Sequence, residues 1–132
     1  MSYLLDTHTF LWVLFDDDKL SDKAKDILID SDRKIYVSLI TYWEISLKYS
    51  IGKLELRGIR PDELPQKAGE IGLISLDILQ EDMASFYKLP KTAHKDPFDR
   101  MIIWQAIRRN FILISKDKKF ENYEDFGLRT LW

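Results

Sequence analysis

Short apolar runs that stop abruptly at acids or small polar residues punctuate this chain, and that alternation constrains its fold more than any other feature. Tyr3-Leu4-Leu5 stops at Asp6-Thr7-His8-Thr9, and Lys34 to Ser38 leads into a helical stretch. Leu73-Ile74-Ser75-Leu76 stops at Asp77, and Phe111 to Ser115 gives way to the polar loop Lys116-Asp117-Lys118-Lys119. Each run is too short for a helix and is flanked by turn residues, the signature of a buried strand. Apolar residues between the runs fall at helical spacing: Phe10, Leu11, Val13 and Leu14; Ala24, Ile27 and Leu28 behind the N-cap candidate Ser21; and Thr41 to Tyr49, closed by Gly52. The pattern continues with a helix through Ala68 and Ile71, delayed or kinked at Pro65, and another over Gln80 to Tyr87. Leu89 to Asp96 reads as a loop, and a helix over Phe98 to Asn110 has Pro97 at its first turn. Leu128 to Trp132 suits a last edge strand.

Strands that alternate with helices predict an α/β fold, because parallel strands need crossover helices to join them. The expected architecture is a three-layer sandwich whose mostly parallel sheet has four or five strands, in a single domain over residues 1–132. A chain of 132 residues with 45% hydrophobic content supports one real core, not two.

Composition removes several kinds of chemistry. There is no cysteine, so disulfide scaffolds, thiol nucleophiles and sulfur-ligated metals are excluded. Twenty Lys and Arg against 22 Asp and Glu give a net charge of −2, which disfavours a bulk polycationic nucleic-acid binder but not a local basic patch. No apolar stretch approaches the ~20 residues of a spanning helix, and Asp6 sits where a signal peptide would be apolar, so a soluble, cytoplasmic protein is expected. The five glycines, at 52, 58, 69, 72 and 127, form no phosphate-cradling motif or nucleophile elbow. His8 and His94 are too few for a zinc site, and His94 reads as a structural or capping residue.

In open parallel sheets ligands bind beyond the carboxyl ends of the strands, so the residues just past each run matter most. Those positions hold acids: Asp6, Glu44, Asp96 and Asp99 around the start of one helix, and Asp117. Oxygen donors without His or Cys partners suit a hard cation such as Mg²⁺ or Mn²⁺, and such an ion can activate water against a phosphodiester. Each acid alone has an ordinary structural role: Asp6 as an N-cap, Glu44 paired with Lys48 at i, i+4, Asp99 facing a helix dipole, Asp117 in an Asx turn. Their joint placement is what points to a site.

These residues resemble a known family, the PIN-domain ribonucleases of the VapC type, the toxic half of toxin-antitoxin pairs. The resemblance spans nearly the whole chain. It runs through Leu4 to Trp12, then Trp43-Glu44-Ile45 with Gly52-Lys53-Leu54, then His94-Lys95-Asp96-Pro97-Phe98-Asp99-Arg100, then Ile114-Ser115-Lys116-Asp117 with Phe120. The third block is the most specific. Ser115 departs from the Thr common in relatives but keeps the hydroxyl. The resemblance implies Asp6, Glu44 and Asp99 as the core metal-binding acids, Asp117 as the fourth and Asp96 as a neighbour. It also implies dependence on Mg²⁺ or Mn²⁺, an RNA substrate, a homodimer and an antitoxin partner. Lys48, Lys95, Arg100 and Lys116, with Lys53, Lys118 and Lys119, are candidates to hold the RNA backbone, although any one of them alone reads as a solvated surface charge. Trp12, Trp43 and Trp104 suit the core or a dimer interface better than base stacking.

Two rival readings remain. A receiver-like signalling domain also has an acidic Mg²⁺ pocket and a late Lys, here Lys116, but Thr7-His8 stands where its second acid would be and the mid-chain strand ends at Ser38 rather than Asp. A catalytically idle PIN-like module would bind RNA or protein only, with no reason to keep clustered like charge.

Overall fold

The computed structural model describes all 132 residues. Five strands, β1 (Ser2–Leu5), β2 (Lys34–Ser38), β3 (Ile74–Leu76), β4 (Ile112–Ile114) and β5 (Arg129–Leu131), form one sheet in the order β3-β2-β1-β4-β5, and every neighbouring pair is parallel. Six α-helices make the first three crossovers, α1 (Thr7–Phe15), α2 (Asp22–Ile29), α3 (Leu39–Ser50), α4 (Leu64–Glu70), α5 (Gln80–Ser85) and α6 (Pro97–Arg109), and a 3₁₀ segment makes the one from β4 to β5. Short 3₁₀ turns occupy Asp17–Lys19, Pro61–Glu63, Phe86–Lys88 and Lys118–Phe126.

Strand alternation sends side chains to two buried faces, as a sheet covered on both sides requires. Tyr3, Leu5, Ile35, Val37 and Ile114 pack with Phe10, Ala24, Ile27, Ile45, Leu64 and Ala68 from α1 to α4. Leu4 and Leu113 point the other way, onto Ile102, Ile103 and Ala106 of α6 and onto Phe120 and Tyr123 of the last 3₁₀ segment. The three-layer α/β sandwich expected from the sequence is therefore present, with five strands, a wholly parallel sheet and a buried cluster on each face.

Helix starts follow the polar residue that ends each apolar run. Ser21 Oγ accepts from Ala24 N at 3.1 Å and Ser38 Oγ from Ile40 N at 3.1 Å, so both side chains cap. That second cap makes α3 begin at Leu39, two residues before the expected Thr41. Pro65 stands in the first turn of α4, where its missing N–H costs nothing, and it neither kinks nor delays the helix as expected, because Leu64 before it is already helical. The stretch expected to be helical over Gln80 to Tyr87 turns 3₁₀ at Phe86. The segment after Lys116 was legible only as a polar loop, yet Lys118–Phe126 is 3₁₀: Phe120 and Tyr123 lie three apart, which puts both on one face of a three-residue turn and buries them. Asn110 adopts the left-handed conformation at φ 57° that ends α6 and turns the chain into β4.

Candidate active site

The chain leaves β1 toward β2 on one side, while β4 lies on the other side of β1, so a crevice opens between the carboxyl ends of β1 and β4. Asp6 follows β1 and Ser115 follows β4. Ser115 Oγ donates to Asp6 Oδ2 at 2.6 Å, and the backbone of Thr9 donates to Asp6 Oδ1 at 2.9 Å. Asp6 is thus the N-cap of α1, its ordinary structural role, and also the floor of the crevice. Only 4% of it is exposed, and burial pushes its carboxyl pKa up against the opposing pull of Ser115 and Thr9.

Glu44, one turn into α3, is equally buried. Thr7 Oγ1 donates to its Oε1 at 2.7 Å, and the Lys48 ammonium, one turn further along α3, holds its Oε2. The i, i+4 pair considered from sequence is therefore made. Burial alone would lower the Lys48 pKa, but Glu44, Asp96 and Asp99 together raise it, so this lysine is the counter-ion of the acidic group.

Asp96 caps α6, its Oδ1 accepting from Phe98 N at 2.9 Å and Asp99 N at 3.2 Å. Asp99 stands in the first turn with His94 Nε2 3.0 Å from its Oδ2. Burial, and then the neighbouring Asp96 charge, push the Asp99 pKa up to about 6, while His94 pulls it down and Glu44 adds to the repulsion. Asp117 accepts from Lys119 N at 2.9 Å in the Asx-type turn that opens the last 3₁₀ segment.

Two adjoining cavities line this end of the sheet. Asp6, His8, Trp12, Lys116 and Asp117 surround one of about 270 Å³. Asp96, Asp99, His94, Lys95, Lys119 and Asn122 line the other, of about 330 Å³, together with the same Asp117. Asp117 is thus the wall between the two. Arg100 lines neither: its guanidinium donates to the carbonyls of Leu89 and Pro90 and lies 5.0 Å from the centre of the Phe86 ring. Lys116 sits 6.0 Å over the Trp12 ring, which brings that tryptophan to the cleft, whereas Trp43 is 60% exposed on α3. Sequence reasoning passed over Thr7, His94 and Asn122 as site residues. The adjacency of Thr7 to Asp6 and the five-residue spacing of His94 and Asp99 were signals, but hydroxyls and lone histidines are too common to single out unaided.

By donor type the acids fit a hard divalent cation, since every ligand offered is oxygen. Asp99 Oδ1 and the second oxygens of Asp96 and Asp117 make no hydrogen bond within the chain. No three acidic or imidazole side chains are gathered into a ready-made metal cage, and Lys48, His94 and Ser115 each hold one of the carboxylates.

The PIN domain family model matches residues 3–125. The chain belongs to the PIN domain family. Solved structures with this PIN fold include VapBC2 from Rickettsia felis bound to a DNA fragment from their promoter, with a TM-score of 0.71, 18% identity, and 99% of this chain covering 98% of that one. VapBC-1 from nontypeable Haemophilus influenzae follows at TM-score 0.68 and 18% identity, covering 99% and 97% of the two chains. FitAcB from Neisseria gonorrhoeae has a TM-score of 0.64 at 18% identity, with 98% and 96% covered. At such identities the likeness is one of fold. No curated protein matches the sequence. The PIN match and the strand order β3-β2-β1-β4-β5 set aside the receiver-like reading, whose sheet runs 2-1-3-4-5.

Proposed function

We propose that this PIN-domain chain is a divalent-metal-dependent endoribonuclease and the toxin of a toxin-antitoxin pair, acting in the cytoplasm. The observation that carries the reading is the gathering of Asp96, Asp99 and Asp117 around one cavity whose Asp117 wall is shared with the Asp6 crevice; burial, and then the Asp96 charge, push the Asp99 carboxyl pKa up to about 6 there. Clustered acids that repel one another are costly in a mere binding platform and useful around a cation.

In this reading Asp6, Glu44 and Asp99 hold the ion, with Asp117 as the fourth acid and Asp96 beside them. A bound Mg²⁺ or Mn²⁺ supplies an activated water for in-line attack on the phosphodiester and offsets the charge that develops as the 3′-oxygen leaves. His94 fixes Asp99 through Oδ2 and leaves Oδ1 open, while Ser115 and the Thr9 amide fix Asp6. Lys116 and Lys95 line the two cavities and meet RNA phosphates; Lys48 contributes from beside Glu44, and Arg100 from the far side of His94.

The toxin role rests on the shared fold with the VapBC and FitAcB structures, and makes an antitoxin the protein partner. The chain also forms a homodimer through the helices that flank α6. Leu39, Trp43, Leu47 and Ile51 repeat every four residues along α3 and its end, all at least 38% exposed, and Leu79, Met83 and Tyr87 do the same from the N-cap of α5 into the 3₁₀ turn after it. Two exposed apolar stripes on one domain are an interaction surface, and a second copy presents the same stripes in return. No helix is long and apolar enough to cross a membrane.

The decisive experiment incubates a mixed RNA pool with the protein in Mg²⁺, Mn²⁺ or chelator, beside Asp6→Asn and Asp99→Asn. Cleavage that needs metal and disappears in both folded variants is the expected result. RNA binding without cleavage in any metal would instead favour the idle binding module.

A further inference from the structure

Beside the acid site a third cavity, of about 280 Å³, is lined by Lys91, Thr92, His94, Lys95 and Arg100. No carboxylate lines it, and its two lysines and its arginine take part in no ion pair of the protein. We propose that it is a phosphate subsite, which takes the RNA backbone phosphate neighbouring the one to be cut. The proposal rests on the ribonuclease reading for the identity of its ligand.

Three observations converge on an anion. The first is charge: three cations face one concavity that no carboxylate lines, which favours an external anion there. Asp96 caps α6 through one oxygen, Asp99 is held by His94 through one oxygen, and neither lines this cavity. The second is rigidity. Arg100 Nη2 donates to Leu89 O at 3.1 Å and Pro90 O at 3.2 Å, and His94 N donates to Thr92 Oγ1 at 3.1 Å. Thr92 Oγ1 in turn donates to Tyr123 Oη at 2.8 Å, and Tyr123 Oη to His94 O at 3.3 Å. The loop between Leu89 and Asp96 is thus pinned at both ends to the core, so its lysines spring from a fixed frame and lose less freedom on binding. The third is unused capacity: Arg100 spends only Nη2 on those carbonyls, and its Nε is buried without a partner.

Position selects the ligand. His94 and Lys95 line both this cavity and the one that holds Asp96 and Asp99. An anion here therefore sits one step along from the acids. A polyanion with evenly repeated phosphates satisfies both compartments at once, one phosphate in the basic pocket and the next at the acids. Since the acids repel phosphate unless a cation is present, the basic pocket is what holds RNA in a metal-free cleft.

The test is the salt dependence of binding of a short labelled single-stranded RNA, by fluorescence anisotropy in chelator so that nothing is cut. It compares the full chain with Lys91→Ala, Lys95→Ala, the double variant, and Lys34→Ala at the opposite end of the sheet. Each single pocket variant is expected to weaken binding roughly tenfold while lowering the slope of log K against log salt by less than one phosphate's worth, because the remaining lysine and Arg100 still grip the phosphate. The double variant is expected to lower the slope by about 0.7, one phosphate's worth, because both lysines grip one phosphate. Lys34→Ala is expected to leave it alone. A slope unchanged in the double variant overturns the proposal, as does a double variant that loses two phosphates' worth, about 1.4, which would make the lysines independent surface charges. Unchanged RNA binding with weakened capture of an acidic partner protein also overturns it. Cleavage of the same RNA by the unaltered chain in Mn²⁺ is scored in parallel. If cleavage is absent while the isotherms behave as expected, the nuclease reading fails and the subsite stands; if the unaltered chain binds no RNA, the subsite fails.

Discussion

At Asp6 the carboxylate gives up nearly all its water and keeps two hydrogen bonds, from the Thr9 amide and the Ser115 hydroxyl. Deleting the hydroxyl with Ser115→Ala leaves a buried charge short of a donor, so it is expected to cost about 1–3 kcal/mol in urea unfolding and to raise the Asp6 pKa further. Ser115→Thr, which retains the oxygen, is expected to keep activity. Asp99 is pushed the same way, by burial first and then by the Asp96 charge, with His94 opposing. Its pKa of about 6 in the fold lies above the ~3.9 of an unfolded aspartate, so the folded state binds the proton more tightly and stability falls as pH rises through that window. In chelator, Asp99→Asn is therefore expected to melt progressively above the unaltered protein as pH goes from about 4 to 7. A gap that stays constant across those melts would show that Asp99 is not under the strain assigned to it.

At the scale of elements, α5 is bolted to α6 by one acid. Asp82, fully buried, receives both Arg108 and Arg109 from the last turn of α6 and also accepts from Leu79 N at 2.8 Å, closing the start of its own helix. Burial by itself would raise its pKa, but the two guanidinium groups and the Leu79 amide outweigh that and hold it below the usual carboxylate range. Stability from this group is therefore present above the unfolded aspartate pKa of about 3.9 and is lost as pH falls through the lower folded value. Asp82→Ala is expected to cost about 3 kcal/mol, the lower end for one partner of a buried pair, since both arginines still reach water. Denaturant titration at neutral pH reads this directly, and cleavage per folded molecule is expected to be unchanged because α5 is remote from the acids.

For the molecule as a whole, metal and self-association make separate claims. Mn²⁺ at about a hundredfold its dissociation constant adds about 2.7 kcal/mol, a rise of roughly 5–10 °C in melting temperature for a domain of this size, and Asp6→Asn is expected to abolish the rise. Differential scanning fluorimetry separates the two. The dimer is tested by Trp43→Asp combined with Met83→Asp: both side chains are more than half exposed, so the fold is expected to survive while sedimentation equilibrium shows monomers. A monomeric unaltered chain would refute the proposed face.

The strand–helix order, the parallel α/β class and the positions of all five acids were legible in the sequence, because apolar periodicity and the polar residue that stops each run are local properties. Lys34–Ser38 was readable to the residue, and the Ser21 cap likewise. The Glu44–Lys48 pair, one helical turn apart, was legible too, but the Thr7 contact to Glu44 and the surroundings of His94 were not, since Thr7 lies 37 residues from Glu44 and the cavities that His94 lines are built from three separate segments. Local sequence fixes which residues face the carboxyl end of the sheet. Only the tertiary structure decides which carboxylate meets Thr7, which meets His94, and which is left to repel its neighbours, because those energies depend on distances between segments that no periodicity encodes.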